Sequence, residues 1–235
     1  MKKYIPNFIT SLNLTSGFIA IICAAEGNLI AASWLIVAAM IFDFFDGFSA
    51  RMLKAYSDIG KELDSLADVV SFGVAPAVII YNLLSSGPGS ESWNIGGINT
   101  LMIIPAVLPV CTALRLAVFN LDKSQATSFK GLATPANAIA VISLVIASNY
   151  SDSPFISSLI SNKLIIIIIT LLLSLLMVSR IDLFSLKISN LRLKGNEGRY
   201  LLLILIAISF AVLGISAAVL IIPFYIISSL ASKLF

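Results

Sequence analysis

The chain has 235 residues, 59% of them hydrophobic and 11% charged, with a mean hydropathy of +1.03 and a net charge of +3. That balance excludes an ordinary soluble domain, and the basic residues sit in loops in a way that argues against a nucleic-acid partner. With no histidine, and with Cys23 and Cys111 far apart inside apolar stretches, a zinc site is excluded and both cysteines read as packing residues.

A spanning helix takes about 20 mainly apolar residues. Hydropathy predicts such spans at residues 7–25, 30–53, 62–84, 98–121, 133–150 and 162–179, followed by a long apolar run from Tyr200 to Leu230. At 1.5 Å per residue that run would reach about 45 Å against a hydrocarbon core of about 30 Å, so a hairpin is expected near Gly214. Thr10, Asn13, Thr15 and Ser16 make the first stretch too polar for a cleaved signal core. The reading is an all-α polytopic membrane protein of about eight transmembrane helices. It forms one integral membrane domain over residues 1–235, with a catalytic core at about 1–180 and the added hairpin at about 199–235.

Eight crossings with the amino terminus inside place fourteen of the fifteen lysines and arginines on or near the inner face, Lys163 being the exception. A multi-pass protein of the cytoplasmic membrane follows, with its amino terminus in the cytoplasm. The polar linker from Arg180 to Arg199 holds five basic residues and suits the membrane surface, as a topology signal or as a site for anionic head groups.

Four aspartates stand at the inner ends of the second and third spans, in MIFDFFDGFSAR and KELDSLADVVSFG. A carboxylate facing hydrocarbon costs about 2.5–3.5 kcal/mol at a helix centre, so Asp43, Asp46, Asp64 and Asp68 require a compensating cation. Asp43 and Asp46 are three residues apart and Asp64 and Asp68 four, so each pair shares one helical face and the two faces can converge. Only Arg51, Lys54 and Lys61 lie between the pairs, which favours a four-carboxylate cup for a divalent metal over four separate ion pairs. All-oxygen ligands point to magnesium or manganese. Gly47, Ser49, Ala50, Ser57 and Gly60 surround the carboxylates with small side chains, suited to a bulky ligand or to tight helix packing.

Together Asp43, Asp46, Gly47, Ala50, Arg51, Gly60, Asp64 and Asp68 fill every fixed position of a pattern that resembles the signature of the CDP-alcohol phosphotransferases, DxxDGxxARx8Gx3Dx3D. The resemblance implies the fold of that family and two divalent cations, Mg2+ or Mn2+, held by Asp43, Asp46, Asp64 and Asp68 against the diphosphate of a CDP-linked lipid at the cytoplasmic surface. It also implies that Asp68 deprotonates the acceptor hydroxyl, that Gly47, Ala50, Arg51, Ser57 and Gly60 bind the nucleotide lipid, and that the chain is a homodimer. The run from Pro6 to Asn13 resembles the family's amino-terminal segment. Asn7, Thr10 and Asn13 share one helix face, available to the cytidine or to helix packing.

The signature does not name the acceptor. Arg115, near the inner end of the fourth span, is a single arginine that suits one carboxylate, whereas a phosphorylated acceptor calls for several basic groups. SFGVAPA at 71–77, LRLAVFN at 114–120, GLATPANA near 131–138 and MVSR at 177–180 resemble the bacterial phosphatidylserine synthases within the family. That likeness implies CDP-diacylglycerol and L-serine as substrates, with Arg115 on the serine carboxylate and Asn120 a candidate for its amino group. Pro76 is expected to kink the third helix. The alternatives are glycerol 3-phosphate or an inositol compound as acceptor and, from another class, a cation-coupled transporter or a structural protein with a metal-filled acidic cup.

Overall fold

The computed structural model describes residues 4–86, 94, 95, 98, 99, 101, 103–121, 129–184 and 196–232. The chain runs through α1 (Tyr4–Ala25), α2 (Leu29–Leu53), α3 (Asp58–Asp68), a π-helical turn (Val69–Val74) and α4 (Ala75–Ser85). A two-residue hairpin, β1 (Asn94–Ile95) with β2 (Ile98–Asn99), leads to α5 (Ile103–Leu121) and β3 (Phe129–Lys130). Then come α6 (Thr134–Tyr150), α7 (Pro154–Ser161), α8 (Lys163–Val178) and β4 (Asp182–Leu183), which pairs antiparallel with β3. The chain closes with α9 (Glu197–Leu213), a 3-10 segment (Gly214–Leu220) and α10 (Ile221–Ala231).

Helices α1 and α2 meet along small residues. Ala20, Ala24, Ala32 and Ala39 are fully buried with Ile36, so the backbones approach closely, as membrane helices without a hydrophobic driving force require. Trp34, Ile41 and Phe44 on α2, Leu172 on α8 and Ile204 and Ile208 on α9 are exposed, apolar side chains whose natural solvent is lipid. Between α2 and α3 the chain turns in four residues. Lys54 takes the left-handed conformation that ends α2, at φ 49°, and Ser57 starts α3 by accepting the Gly60 amide on Oγ at 3.0 Å. Both turn residues are polar and local, so the two aspartate-bearing helices are joined by a short, capped connection.

Helices α3 and α4 form one span, Asp58–Ser85, through the π-helical turn. Pro76 has no amide to give the Phe72 carbonyl four residues earlier, and that carbonyl accepts instead from Asn137 Nδ2 on α6 at 3.1 Å. The predicted kink is therefore a widened turn, stitched to a neighbouring helix. Backbones also crowd together around this turn. A Cβ on Gly17 of α1 would lie 2.8 Å from the Ser71 Cα, and one on Gly73 would lie 3.2 Å from the Pro109 Cα of α5. Ser71 Oγ donates to the Asn13 carbonyl at 3.1 Å, which completes the contact with α1.

At the other side of the bundle, α8 ends against a loop. The Gly131 amide donates to Ile181 O at 2.8 Å and the Leu132 amide to Leu176 O at 2.9 Å, so carbonyls at the end of α8 find partners from a distant segment. Gly131 has φ +76°, and a Cβ there would meet Met177, Ser179 and Leu176 carbonyl oxygens at 2.6, 2.8 and 2.9 Å. Only glycine fits that position.

The long carboxyl-terminal run reverses direction. Gly214 takes φ 57° and ψ −140°, and Gly198 at the start of α9 lies against Ser228 and Ser232 at the end of α10, so α9 and α10 are antiparallel. Among the described residues, five segments are long and apolar enough to cross a bilayer, and the α7–α8 pair, bent by 79°, makes a sixth if it crosses as one. The expected count of eight is not established. Helix α6 has 17 residues, short for a crossing, and the apolar segment Glu197–Ala231 has 35 residues but folds back within that length. Two boundaries also differ from expectation. The fourth span starts at Ile103, since Ile98 and Asn99 pair in a strand, and α7 was not anticipated ahead of the bend at Asn162. The Asn162 side chain accepts the Leu164 and Ile165 amides at 3.1 and 3.3 Å, which starts α8 afresh and accounts for the break.

Candidate metal centre and its two cavities

The helix pair α2–α3 brings the carboxylates together as the spacing predicts for three of the four. One oxygen from each of Asp43, Asp64 and Asp68 lies within 4.8 Å of the others. Asp46 is one turn further along α2, 6% exposed, and its Oδ2 is 2.7 Å from Thr10 Oγ1 of α1. Asp68 is 8% exposed, and its Oδ2 has a long contact of 3.4 Å from the Thr134 hydroxyl at the start of α6. Asn13 is fully buried beside Asp68, without the geometry of a hydrogen bond on either amide atom.

Asp64 Oδ1 and Asp68 Oδ1 are buried with no hydrogen-bond partner. Buried carboxylate oxygens left open in this way are expensive unless a cation completes them. Three convergent oxygen donors, without imidazole or thiolate, fit a hard divalent ion. The residues present therefore suit a metal, with Asp43, Asp64 and Asp68 as its cluster and Asp46 alongside.

A first cavity of about 210 Å³ opens beside the cluster between α1, α2 and α3. Its walls include Asn7, Thr10, Gly47, Ala50, Arg51, Ser57 and Gly60, together with Asp46 and Asp64. Every residue expected to bind the nucleotide lipid lines it except Asn13, which lies deeper, by Asp68. Lys61 and Tyr56 also line it, and sequence reasoning did not single them out as ligand residues; Lys61 brings a second cation to the wall that holds Arg51. The glycines here do different work. A Cβ on Gly60 would come within 2.9 Å of both Asn7 Oδ1 and Ser57 Oγ, so its absence lets α1 approach α3. A Cβ on Gly47 would meet only Arg51 Nη1, at 3.6 Å, so the fold does not need glycine there and its smallness serves the cavity.

A second cavity, of about 490 Å³, lies between α5, the β3 strand and the end of α8. Arg115 is in its wall, 9% exposed, with Nε lacking a partner. Lys130 and Arg180 line the same space, which corrects the picture of a solitary arginine. They are 15 and 65 positions away from Arg115 in the chain, so no local motif announces the grouping. Asn120 does not line this cavity. Its Nδ2 donates to Ser65 Oγ at 2.9 Å and its carbonyl accepts from Lys61 Nζ at 3.2 Å, tying α5 to α3.

Comparison with known proteins agrees with the signature. Residues 3–178 match the CDP-alcohol phosphatidyltransferase family. Proteins named CDP-diacylglycerol–serine O-phosphatidyltransferase are similar to this chain. The one from Helicobacter pylori is 38% identical over 146 residues, 61% of this chain and 58% of the relative. The one from Mycobacterium leprae is 40% identical over 151 residues, 61% and 47%, and the one from Bacillus subtilis is 35% identical over 147 residues, 63% and 78%. The alignment thus spans only about half to three-fifths of the first two relatives. With the signature filled, its aspartates clustered and the match running over most of its length, the chain belongs to the CDP-alcohol phosphatidyltransferase family.

Proposed function

We propose that this multi-pass membrane protein transfers the phosphatidyl group of CDP-diacylglycerol to the hydroxyl of L-serine, giving phosphatidylserine and CMP. The observation that carries the reading is the carboxylate cluster beside a cavity walled by the signature residues, with Arg115 of a second, basic cavity within electrostatic range of Asp68. Asp43, Asp46, Asp64 and Asp68 would hold two divalent cations, Mg2+ or Mn2+. Bound there, such ions supply positive charge to the diphosphate and lower the cost of charge developing at phosphorus.

The chain's own residues do the rest. Arg51 and Lys61 meet the diphosphate in the first cavity, while Asn7 and Thr10 face the nucleotide end and Gly47 leaves room for it. Arg115 holds the serine carboxylate, close enough to Asp68 for the two charges to interact. Asp68 accepts the proton of the serine hydroxyl as its oxygen bonds to the lipid-side phosphorus and the bond to the CMP oxygen breaks. The Thr134 hydroxyl contacts Asp68, and buried Asn13 packs beside it. The site faces the cytoplasm by the placement of basic residues, in a homodimer by family resemblance. The relatives' names support serine, since each is named for that acceptor.

One observation favours a second acceptor. Three basic side chains around one cavity suit a phosphorylated alcohol such as glycerol 3-phosphate better than a lone arginine would. The test is CMP release by purified protein in detergent with CDP-diacylglycerol and manganese, comparing L-serine, glycerol 3-phosphate and no acceptor. Serine-dependent release is expected. Release driven by glycerol 3-phosphate and indifferent to serine would transfer the same chemistry to the second acceptor.

A further inference from the structure

The carboxyl-terminal hairpin lies beyond residue 178, where the family match stops, yet it grips the strand pair that carries one wall of the second cavity. Phe184 directly follows β4. Its amide donates to Ser229 Oγ of α10 at 2.8 Å, and its carbonyl accepts from the Tyr225 hydroxyl at 2.9 Å. Its ring meets the Tyr225 ring edge-on, 5.4 Å between centroids, and the Arg199 guanidinium sits 5.8 Å above it. A Cβ on Gly198 would come within 3.0 Å of the Phe184 ring, so α9 closes on it as well. Both backbone polar groups of one residue are thus taken up by the hairpin, which also packs against its ring.

What the grip holds is the basic cavity. Strand β4 pairs Asp182 with Lys130 and Leu183 with Phe129 of β3, and Ile181 O accepts the Gly131 amide. Lys130 within this clasp and Arg180 just ahead of β4 line the cavity with Arg115. The Lys130 ammonium and the Arg180 guanidinium, brought near the buried Arg115, repel it and each other, so a clasp of two residues per strand needs an outside anchor to keep them there. Tyr225 is itself 7% exposed and within electrostatic range of Arg115.

We propose that the hairpin is a positioning element for the acceptor: Tyr225 and Ser229, through Phe184 and the β3–β4 clasp, hold Lys130 and Arg180 in register with Arg115. The proposal rests on reading the second cavity as the acceptor site. The hairpin then sets acceptor affinity and leaves the carboxylate cluster and the CDP-lipid cavity alone.

Tyr225→Phe keeps the ring and removes the hydroxyl. In the CMP-release assay, with whichever acceptor the wild-type protein uses, it raises the acceptor KM about fivefold, the scale of one hydrogen bond, while the KM for CDP-diacylglycerol stays within about twofold. Ser229→Ala shifts the same constant in the same direction, which covers the case of a poorly folded tyrosine variant. A second readout needs no turnover. In a Cys23→Ala, Cys111→Ala background, Ser179→Cys in the cavity wall reacts faster with an anionic than with a cationic thiol reagent, and Tyr225→Phe reduces that ratio. Loss of the ratio together with no change in acceptor KM would mean that the hairpin holds the cavity but the cavity is not the acceptor site. An unchanged ratio in both hairpin variants, or equal rises in both substrate constants, would overturn the positioning role.

Discussion

The cavity beside the aspartate cluster and the basic cavity around Arg115 are built in opposite ways. The first is assembled mostly from consecutive elements: α2, a capped four-residue turn and α3 supply Asp46, Gly47, Ala50, Arg51, Ser57, Gly60, Lys61 and Asp64, and α1 packs across them. The second draws Arg115 from α5, Lys130 from β3 and Arg180 from beyond α8, three segments joined only by the tertiary fold. Helical periodicity fixes the geometry of a site whose residues lie three or four positions apart on neighbouring helices. It says nothing about residues that meet because a strand pair and a helix end happen to close a space.

The sharpest way to test this contrast is to remove one arginine from each cavity. Arg115→Gln should raise the acceptor KM by about 10- to 100-fold, the range for losing a charge-assisted contact, with little change for CDP-diacylglycerol. Arg51→Gln should do the reverse, and steady-state kinetics with each substrate varied in turn separates the two. If both variants moved the same constant, the cavities would not be separate substrate sites.

A smaller effect is expected from the glycines. Gly131→Ala places a Cβ among three carbonyl oxygens at 2.6–2.9 Å with φ +76°, so it should lower stability by about 1–3 kcal/mol and weaken acceptor binding as Lys130 shifts. Gly47→Ala, with only Arg51 Nη1 at 3.6 Å, should leave the thermal midpoint in detergent unchanged or raised and increase the KM for CDP-diacylglycerol a few-fold. A thermal midpoint that fell for Gly47→Ala and held for Gly131→Ala would invert the assignment of fold glycine and cavity glycine.

The same contrast explains what could be read in the chain. The all-helical membrane character, the carboxylate pairs and the reversal at Gly214 follow from hydropathy, a spacing of three or four and a run too long for one crossing. Asp46 departs from the cluster because Thr10 of α1 takes its oxygen, a partner 36 residues away that spacing within α2 does not reveal. Pro76 announced a disturbance in the third helix, but whether it became a kink or a widened turn depended on Asn137 supplying the missing donor. Asn120 looked free to bind a substrate until α3 placed Ser65 beside it. The grouping of Lys130 and Arg180 with Arg115 depended on Gly131 and on a two-residue strand pair, features too short to carry a pattern of their own. The hairpin's hold on Phe184 rests on tyrosine and serine in an apolar helix, where neither residue stands out.

Asp43, Asp64 and Asp68, with Asp46 beside them, form the metal centre on which the proposed phosphatidyl transfer depends. A manganese titration of chelator-stripped protein in detergent, following metal binding and CMP release on the same samples, tests this. Release should be absent without metal, acceptor-dependent release should recover as manganese binds, and both binding and release should be lost in Asp64→Asn. Acceptor-dependent CMP release that persists in the stripped protein, or that survives in Asp64→Asn at wild-type level, would contradict it.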